Sequence, residues 1–374
     1  MNKAIVCILL FFLVSNTFAV AFSSVSVYAT VEDSWSTKAS MSQTRSNLGV
    51  VAVDEKIYAI GGYQPRPFNV VGANECYDPK KNTWTTLAAM PTSRSHFAIA
   101  ASEGKIYCIG GLISYEGMPQ SCDVTEVYDI ATNSWSTKTS IPVNTSQIQA
   151  CVVDGKIFVM NGRDMFMYNP VTDAWSKKTS LPVDPWSVYI YLVAWDTKIM
   201  ANIVFITEDS QFHPEVMVYN TENDVWSEGK TGYAGLGKCG AIAGVTSGQY
   251  AHPRVYALGK TIFESSLLNT NQVYDPVSDT WSFAKAMPTE RVGFGVAVVN
   301  DVLYVIGGYY SSSTVAGSSL SLTEQYVPIG YHGTLAHDFS MVIVIVLMIG
   351  VVVTLVLFFY FLKVRKQRKT VSND

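Results

Sequence analysis

Cysteine, histidine and charge are all scarce in this sequence of 374 residues. It has 6 cysteines and 5 histidines, and only 15% of its residues are charged. The cysteines form no CxxC pair, and their spacing matches neither a zinc site nor a disulfide framework. Cys7 lies in an apolar leader, and the odd number left cannot all pair within one chain. We expect most to be small buried hydrophobic residues, with a Cys108–Cys122 disulfide as the alternative.

Common catalytic motifs are also missing from the sequence. It contains no P-loop, dinucleotide fingerprint, nucleophile elbow or zinc-protease motif. No stretch between residues 30 and 328 has the period of an amphipathic helix. We therefore expect an all-β domain with no cofactor, no metal site and no recognisable catalytic residue.

The N-terminus has the layout of a secretory signal peptide. Lys3 supplies positive charge, residues 4–14 are apolar, and the small residues Thr17 and Ala19 mark a cleavage site. Residues 1–19 are interpreted as the signal peptide and residues 20–34 as a lead-in. An uncleaved anchor is the alternative, but the apolar run is short for a membrane span.

The C-terminus predicts one transmembrane helix. Residues 341–362, from Met341 to Leu362, carry no charge and would reach ~33 Å as a helix, enough to cross the hydrocarbon core. The basic residues that follow place residues 363–374 in the cytoplasm. The prediction is a single-pass type I protein of the cell membrane, with its main domain outside the cell or in a lumen and a stalk at residues 328–340.

Charge disfavours one class of partner. The whole chain has a net charge of −4, and the part predicted to lie outside is more acidic, because the cytoplasmic tail is basic. An acidic domain is unlike one that binds nucleic acid or anionic lipid. We expect a protein or glycan partner, and the sequence does not indicate an oligomeric state.

What the sequence does contain is a repeat. Six tryptophans each follow an Asp or Asn by two residues, at spacings of roughly 40 to 55 residues, which is the period of a repeat architecture. That Asp or Asn is expected to close its own turn. The tryptophans are Trp35, Trp84, Trp135, Trp175, Trp226 and Trp281.

The second copy shows the unit. Short β-rich runs at residues 84–90, 96–101, 106–109 and 125–129 are separated by turn residues, which predicts four strands joined mainly by hairpins. A glycine doublet ends the second predicted strand of three copies, at Gly61-Gly62, Gly110-Gly111 and Gly307-Gly308. A tyrosine then precedes each tryptophan by about seven residues.

This pattern resembles the kelch repeat, over residues 30–328. The resemblance implies a six-bladed β-propeller at residues 35–327. Trp35 precedes any first strand, and the last segment ends at Tyr326 and Val327 without a tryptophan. The N-terminal strand is therefore expected to complete the last blade and remove the open edges of the ring. The copies between Trp175 and Trp281 are weak, so blades four and five are expected to be the least regular.

Long, varied loops all fall on one face of such a propeller, and loops on a rigid scaffold commonly bind partners. Arg45, Arg94 and Arg291 occupy equivalent positions in the links between blades and are predicted to join an aromatic rim at the channel mouth. For the three arginines the stronger interpretation is that these repeated residues bond loop carbonyls as part of the scaffold. The candidate binding residues are Arg45, Tyr63, Arg66, Phe68, Arg94, Tyr115, Trp186, Arg291, Tyr309 and Tyr310.

Two enzymatic alternatives rest on resemblance. Sialic-acid epimerases are six-bladed kelch proteins, and such an enzyme would use the three arginines for a sugar carboxylate and Glu75 or Glu126 to carry protons. Some copper oxidases also use a kelch-like propeller, but no histidine pair here has ligand spacing. Noncovalent recognition is therefore the preferred hypothesis, and a carbohydrate-modifying enzyme is the alternative.

Overall fold

The computed structural model describes most of the predicted propeller and neither terminus. The predicted signal peptide, most of the lead-in, residues 334–340 of the stalk, the transmembrane segment and the cytoplasmic tail lie outside the described residues. Within the described residues no helix is long and apolar enough to cross a membrane. The described residues are 31–65, 68–182, 188–206, 212–229, 241–259, 269–278, 280–310 and 318–333.

The described part of the chain is all-β and forms six antiparallel four-stranded sheets, numbered here as blades in chain order. Two small hairpins extend from blades 1 and 2. From the innermost strand outward, blade 1 is β2 (Gly49–Val53), β3 (Lys56–Ile60), β6 (Asn74–Asp78) and β7 (Thr83–Leu87), and blade 2 is β8 (Ala98–Ser102), β9 (Lys105–Ile109), β12 (Thr125–Asp129) and β13 (Ser134–Lys138). The hairpins are β4 (Tyr63–Pro65) with β5 (Phe68–Val70), and β10 (Leu112–Tyr115) with β11 (Met118–Ser121).

The remaining blades follow the same order. Blade 3 is β14 (Gln149–Val153), β15 (Lys156–Asn161), β16 (Asp164–Asn169) and β17 (Ala174–Lys178), and blade 4 is β18 (Val188–Trp195), β19 (Lys198–Ile206), β20 (Phe212–Asn220) and β21 (Val225–Glu228). Blade 5 is β22 (Ala241–Val245), β23 (Val255–Leu258), β24 (Asn271–Asp275) and β25 (Thr280–Ala284), and blade 6 is β26 (Gly295–Val299), β27 (Val302–Ile306), β28 (Thr323–Val327) and β1 (Ser34–Lys38).

The blades form a closed ring. The innermost strand of each blade contacts the innermost strand of the next, and β26 of blade 6 contacts β2 of blade 1. The N-terminal strand β1 pairs antiparallel with β28, with Trp35 opposite Tyr326. The predicted six-bladed propeller, closed by its N-terminal strand, is therefore confirmed.

The hydrophobic core lies between neighbouring blades. Tyr58 and Ile60 of blade 1 pack with Ile106 and Cys108 of blade 2, and similar clusters join blades 2 and 3, 3 and 4, and 5 and 6. Of the four described cysteines, all are free and three are buried, so the expected buried hydrophobic role is confirmed and no Cys108–Cys122 disulfide forms.

The repeated Trp and Asx residues hold adjacent blades together. In blade 2, Trp135 Nε1 donates to the carbonyl of Ala88 at 2.7 Å, and Asn133 Oδ1 accepts the N–H of that same residue at 2.9 Å. The hydroxyl of Tyr128 also donates to Asn133 Oδ1, at 2.7 Å. We call these three bonds the blade latch. Equivalent latches hold Ala39 (Tyr77, Asn82, Trp84), Thr139 (Tyr168, Asp173, Trp175), Thr179 (Tyr219, Asp224, Trp226) and Lys285 (Tyr326, Asp33, Trp35).

The expectation that this Asx residue closes its own turn is wrong. The turn is closed instead by the Asx residue directly after the tyrosine. Asp129 Oδ1, for example, accepts the N–H groups of Ala131 and Thr132. The Asx residue of the latch has a positive φ, 50° at Asn133, which directs its side chain toward the preceding blade. Asn and Asp tolerate this left-handed conformation better than most residues.

Blades 4 and 5 depart from the repeat in different ways. Blade 4 has no glycine doublet, and β19 and β20 are each nine residues long. Blade 5 has an expanded turn after β22, with an irregular register between Ala243 and Val245. Asp301 of blade 6 accepts backbone N–H bonds from three residues of that turn: Ser247, Tyr250 and Ala251. Both blades nevertheless complete four strands.

Part of the predicted stalk belongs to the propeller. Tyr331 is 3% exposed, and its ring lies 6.4 Å from that of Tyr250 in the expanded turn of blade 5. The N–H of His332 donates to the carbonyl of Tyr250. Residues 328–333 therefore pack on the propeller, because an aromatic side chain in this segment finds an aromatic partner.

Candidate functional site

One face of the propeller gathers the links between blades and the long loops between second and third strands. We call it the loop face. The opposite face, which carries the tight turns between first and second strands, is called the turn face. β28 ends at the turn face, and residues 328–333 pack against the expanded turn of blade 5 on that face. The described segments of the loop face considered below are residues 41–47, 63–65, 68–70, 90–96, 112–121, 141–147, 287–293, 309–310 and 318–319.

The three repeated arginines lie inside the blades and not on an exposed rim. Arg94 is 0% exposed and forms an ion pair with Glu126 at 3.0 Å. Its guanidinium also donates to the carbonyls of Cys108, Gly110 and Val124. The same arrangement joins Arg45 to Glu75 and Arg291 to Glu324, each at 2.6 Å, and both of these arginines are also 0% exposed.

This burial decides between the two interpretations of the arginines. Each arginine bonds the carbonyls at the glycine doublet of its own blade, so the scaffold role is confirmed, and the expectation of a cationic rim is wrong for these three residues. Burial lowers the pKa of Arg45 and Arg291, and the paired glutamate opposes that shift. Glu75 and Glu126 are already bound to these arginines, so the epimerase-like arrangement of a free cation beside a proton carrier is not formed.

The other candidate residues occupy several positions. Tyr63 and Tyr309 are half-buried, and Tyr310 is 38% exposed. Phe68 and Tyr115 lie in the strands β5 and β10, and their side chains are outside the description. Arg66 and Trp186 lie outside the described residues.

Loops of three consecutive blades converge on one part of this face. The hairpins of blades 1 and 2 contact each other through β5 and β10. From blade 6, Tyr309 pairs with Val292 and Ser319, and the Ser319 hydroxyl donates to the carbonyl of Tyr63 in blade 1 at 3.3 Å. Blades 6, 1 and 2 are adjacent in the ring, so these loops form a continuous surface.

Four residues at the mouth of the channel were not predicted from the sequence. Asn47, His96, Gln147 and Gly293 each stand two residues before an innermost strand, and their φ values are 51°, 54°, 57° and 63°. Their backbones are linked across blades by three hydrogen bonds. The N–H of Asn47 donates to the carbonyl of Gly293, that of His96 to the carbonyl of Asn47, and that of Gln147 to the carbonyl of His96. We call them the mouth residues.

The mouth residues could have been found by aligning the repeats of this chain with one another. The residue type at the mouth position varies between blades, although the positions beside it follow a shared pattern. The next residue along the chain is in each case a large buried apolar side chain: Leu48, Phe97, Ile148 or Phe294. The mouth position itself holds a different residue in each of these four blades. A varied residue between repeated scaffold residues is free to serve recognition.

The mouth carries uncharged polar groups. The pKa of His96 is lowered by burial to about 4, so its imidazole is neutral near pH 7. The His96 Nδ1 atom and the Ser95 hydroxyl are hydrogen-bonded at 2.9 Å. A Cβ on Gly293 would lie 2.8 Å from the amide oxygen of Asn47 and 3.0 Å from the ring of Tyr309. These two side chains therefore stand beside each other over the glycine.

The described strands that line the channel carry no Asp, Glu, Lys, Arg or His residue. The described innermost strands β2, β8, β14, β18, β22 and β26 contain no charged residue. Among the described residues, no group of three or more His, Cys, Asp or Glu side chains is placed to hold a metal ion. The geometry thus supports binding at the loop face more than chemistry inside the channel.

The two faces differ in charge. In the segments of blades 6, 1 and 2 given above, Glu116 and Glu290 are the charged side chains besides the buried arginines. Asp123 follows the hairpin of blade 2, and the exposed Arg163 lies in the loop-face turn of blade 3. The tight turns of the turn face carry more charge, with Asp54, Glu55 and Lys56 all exposed in blade 1 alone. A partner of the loop face would therefore meet amides, hydroxyls and aromatic rings.

Known proteins share this architecture. The solved structure of YjhT has a TM-score of 0.62 to this chain at 16% identity, covering 76% of this chain and 95% of that chain, which is a likeness of fold. Kelch-like protein 15 of Danio rerio is 26% identical over 210 residues, and that of Homo sapiens is 25% identical over 213 residues. Both matches cover 50% of this chain and 34% of the relative, so the chain matches about a third of the length of these relatives.

Family models match along the whole ring. The model of the FKB95 kelch-repeats domain matches residues 35–248, and the kelch motif matches residues 252–288 and 290–330. These ranges contain the three glycine doublets and, except for Asp33, every residue of the five described blade latches. The chain therefore belongs to the kelch-repeat family and folds as a six-bladed kelch β-propeller.

Proposed function

We propose that this protein binds a protein partner noncovalently through the loop face of blades 6, 1 and 2. The observation that carries the proposal is the convergence of three loops from adjacent blades onto one surface with few charges. Rigid scaffolds that present such loops commonly bind partners. Surfaces rich in Tyr, Ser and Asn recognise proteins through aromatic contact and adaptable hydrogen bonds.

The location of this binding is part of the proposal. The apolar leader at residues 1–19 and the uncharged segment at residues 341–362 support a single-pass type I protein with its propeller outside the cell. The last described residues, 328–333, pack on the turn face. A partner would then be a secreted protein or one exposed on another surface.

Intact cells that produce the protein test both statements. Purified secreted and surface proteins are added to these cells, and bound protein is measured. A C-terminal tag should be detected only after permeabilisation, because residue 374 is predicted to lie in the cytoplasm. Detection of that tag on intact cells would overturn the proposed topology.

Matched variants locate the binding surface. In blade 3, β15 is joined to β16 by the short Gly162-Arg163 turn. The first variant has this turn in place of residues 112–121 of blade 2, because the fold already uses it at the equivalent position. Binding should fall at least about tenfold, the loss expected when central contacts are removed. The turn-face variant Lys80→Ala, which breaks an exposed ion pair with Glu55, should bind normally. Equal loss in both variants, or binding only to neutral oligosaccharides, would contradict the proposal.

A further inference from the structure

The mouth residues form a side-chain set that the scaffold does not explain. Their left-handed backbone is accounted for by the N–H···O bonds that run from blade 3 through blades 2 and 1 to blade 6. Those bonds use main-chain atoms only, so they place no demand on the side chains. Glycine satisfies the same backbone at residue 293.

A non-glycine residue at this position carries a cost. The left-handed conformation is disfavoured for side chains by roughly 1 to 2 kcal/mol, although Asn tolerates it. His96 and Gln147 accept that cost where a glycine would avoid it. Residues held in such conformations cluster at functional sites, which makes the three side chains candidates for recognition.

The polar groups of these side chains are available to a ligand. Asn47 is half-buried and its amide makes one long bond, 3.5 Å to the Ser46 hydroxyl. Gln147 is exposed, and among the described residues its amide has no hydrogen-bonding partner. His96 uses Nδ1 with Ser95, which leaves Nε2 as a further donor or acceptor.

The absence of a side chain at Gly293 shapes the mouth on the blade 6 side. Beside it stand the Asn47 amide and the Tyr309 ring. The Tyr309 hydroxyl stays protonated near neutral pH, because burial raises the pKa of this tyrosine. The described mouth residues and Tyr309 therefore combine two amides, a neutral imidazole and a phenol ring, and none of these side chains is charged near pH 7.

We propose that Asn47, His96 and Gln147, with Tyr309, bind the uncharged tip of a peptide loop that the partner inserts into the channel mouth. Side-chain amides have both donors and an acceptor, and so they match the N–H and C=O groups of a peptide backbone. These four side chains offer no opposite charge to a carboxylate or ammonium group of the ligand, and such a group would be costly to desolvate beside them. The site thus selects neutral loops. This inference rests on the proposed loop-face binding and deepens it.

A displayed library of short disulfide-constrained peptides is the probe. The full-length protein, held in detergent or nanodiscs, selects binders from the library. Selected peptides should be depleted in Asp, Glu, Lys and Arg at the loop tip. Their affinity should change little between low and high salt, because screening acts on charge pairs.

Glycine variants test the mouth side chains. Gly293 shows that glycine fits the backbone at this position. Asn47→Gly, His96→Gly and Gln147→Gly each remove a side chain and keep a residue that favours the left-handed conformation. Each should weaken a selected peptide about tenfold, the loss of one or two hydrogen bonds. Asn47→Asp, which keeps the side-chain size and adds charge, should weaken it at least as much. Unchanged thermal unfolding of each variant shows that the propeller is intact.

The outcomes separate this inference from the function on which it rests. Peptides that lose affinity on replacement of residues 112–121 and not in the glycine variants would overturn the mouth site and leave loop-face binding in place. Peptides unaffected by either change would overturn both. Selection of charged loop tips, or binding only of neutral oligosaccharides on an array, would also contradict a site for neutral peptide loops.

Discussion

Three arginines with 0% exposure are unusual in a domain of this kind, and their surroundings explain how they are tolerated. Removing an ion from water costs several kcal/mol, which attraction offsets only if the remaining donors are also bonded. Arg94 meets that condition through Glu126 and three carbonyls. The corresponding glutamate position is filled by Phe166 in blade 3 and Met217 in blade 4, both buried, so a blade can also form without the pair.

Substitutions at Arg94 and Glu126 distinguish two free energies: the cost of leaving one buried charge without a partner, and the net contribution of the ion pair to stability. Arg94→Met leaves Glu126 buried without its partner and should lower the free energy of unfolding by about 3–5 kcal/mol. Adding Glu126→Met removes the stranded charge and should restore much of that loss. The measurement is urea unfolding followed by tryptophan fluorescence. The exposed Lys80–Glu55 pair offers a control, since Lys80→Met should leave the free energy of unfolding almost unchanged. A double variant no more stable than Arg94→Met would contradict this account.

Repetition in the sequence identifies these arginines and favours the scaffold role that the structure shows. A residue that recurs at one position of several blades is constrained by what the blades share, which is the scaffold. Three of the four mouth residues follow the arginines by two positions, and Gln147 follows Thr145. The mouth residues differ from blade to blade, so a search for repeated chemistry passes over them. The sequence could predict which positions repeat, but the direction in which a side chain points depends on backbone conformation and on the neighbouring blade.

At the scale of the elements, the blade latch explains why the propeller needs its Tyr, Asx and Trp at fixed spacing. Tyr128 and Trp135 are cross-strand partners on β12 and β13, and Asn133 lies in the turn between them. Together they satisfy the N–H and the C=O of Ala88 in the preceding blade. Because both backbone polar groups of one residue are held, the latch restricts the distance and the angle between two sheets.

Substitution of Asn133 tests the latch. Asn133→Ala loses two hydrogen bonds and places alanine at a φ of 50°, so it should cost about 2–4 kcal/mol. Asn133→Asp keeps the acceptor oxygen and the tolerance for this conformation. Asp173 and Asp224 already serve in blades 3 and 4, so this variant should be nearly neutral. Thermal unfolding of the two variants gives the comparison, and equal destabilisation would show that the acceptor oxygen is not what matters.

At the scale of the whole molecule, the ring depends on a contact between distant parts of the chain. Strand β1 completes blade 6, and Asp33 accepts both the hydroxyl of Tyr326 and the N–H of Lys285. The count of tryptophans predicted this closure, together with the six blades and most strands of the second copy. The sequence could not show that residues 328–333 pack on blade 5, because this contact joins segments outside the repeat.

Removal of the closing strand should therefore affect every blade. Deleting residues 20–41 removes β1 and the latch on Lys285, and it exposes β28 as an open edge. The expected loss exceeds about 5 kcal/mol, which is comparable to the whole net stability of a domain. Deleting only residues 20–30 keeps Asp33 and β1 and should leave stability unchanged. Limited proteolysis and thermal unfolding compare the two shortened proteins. If the larger deletion melts as the intact protein does, the remaining blades hold the ring without β1, and closure by the N-terminal strand is not what stabilises it.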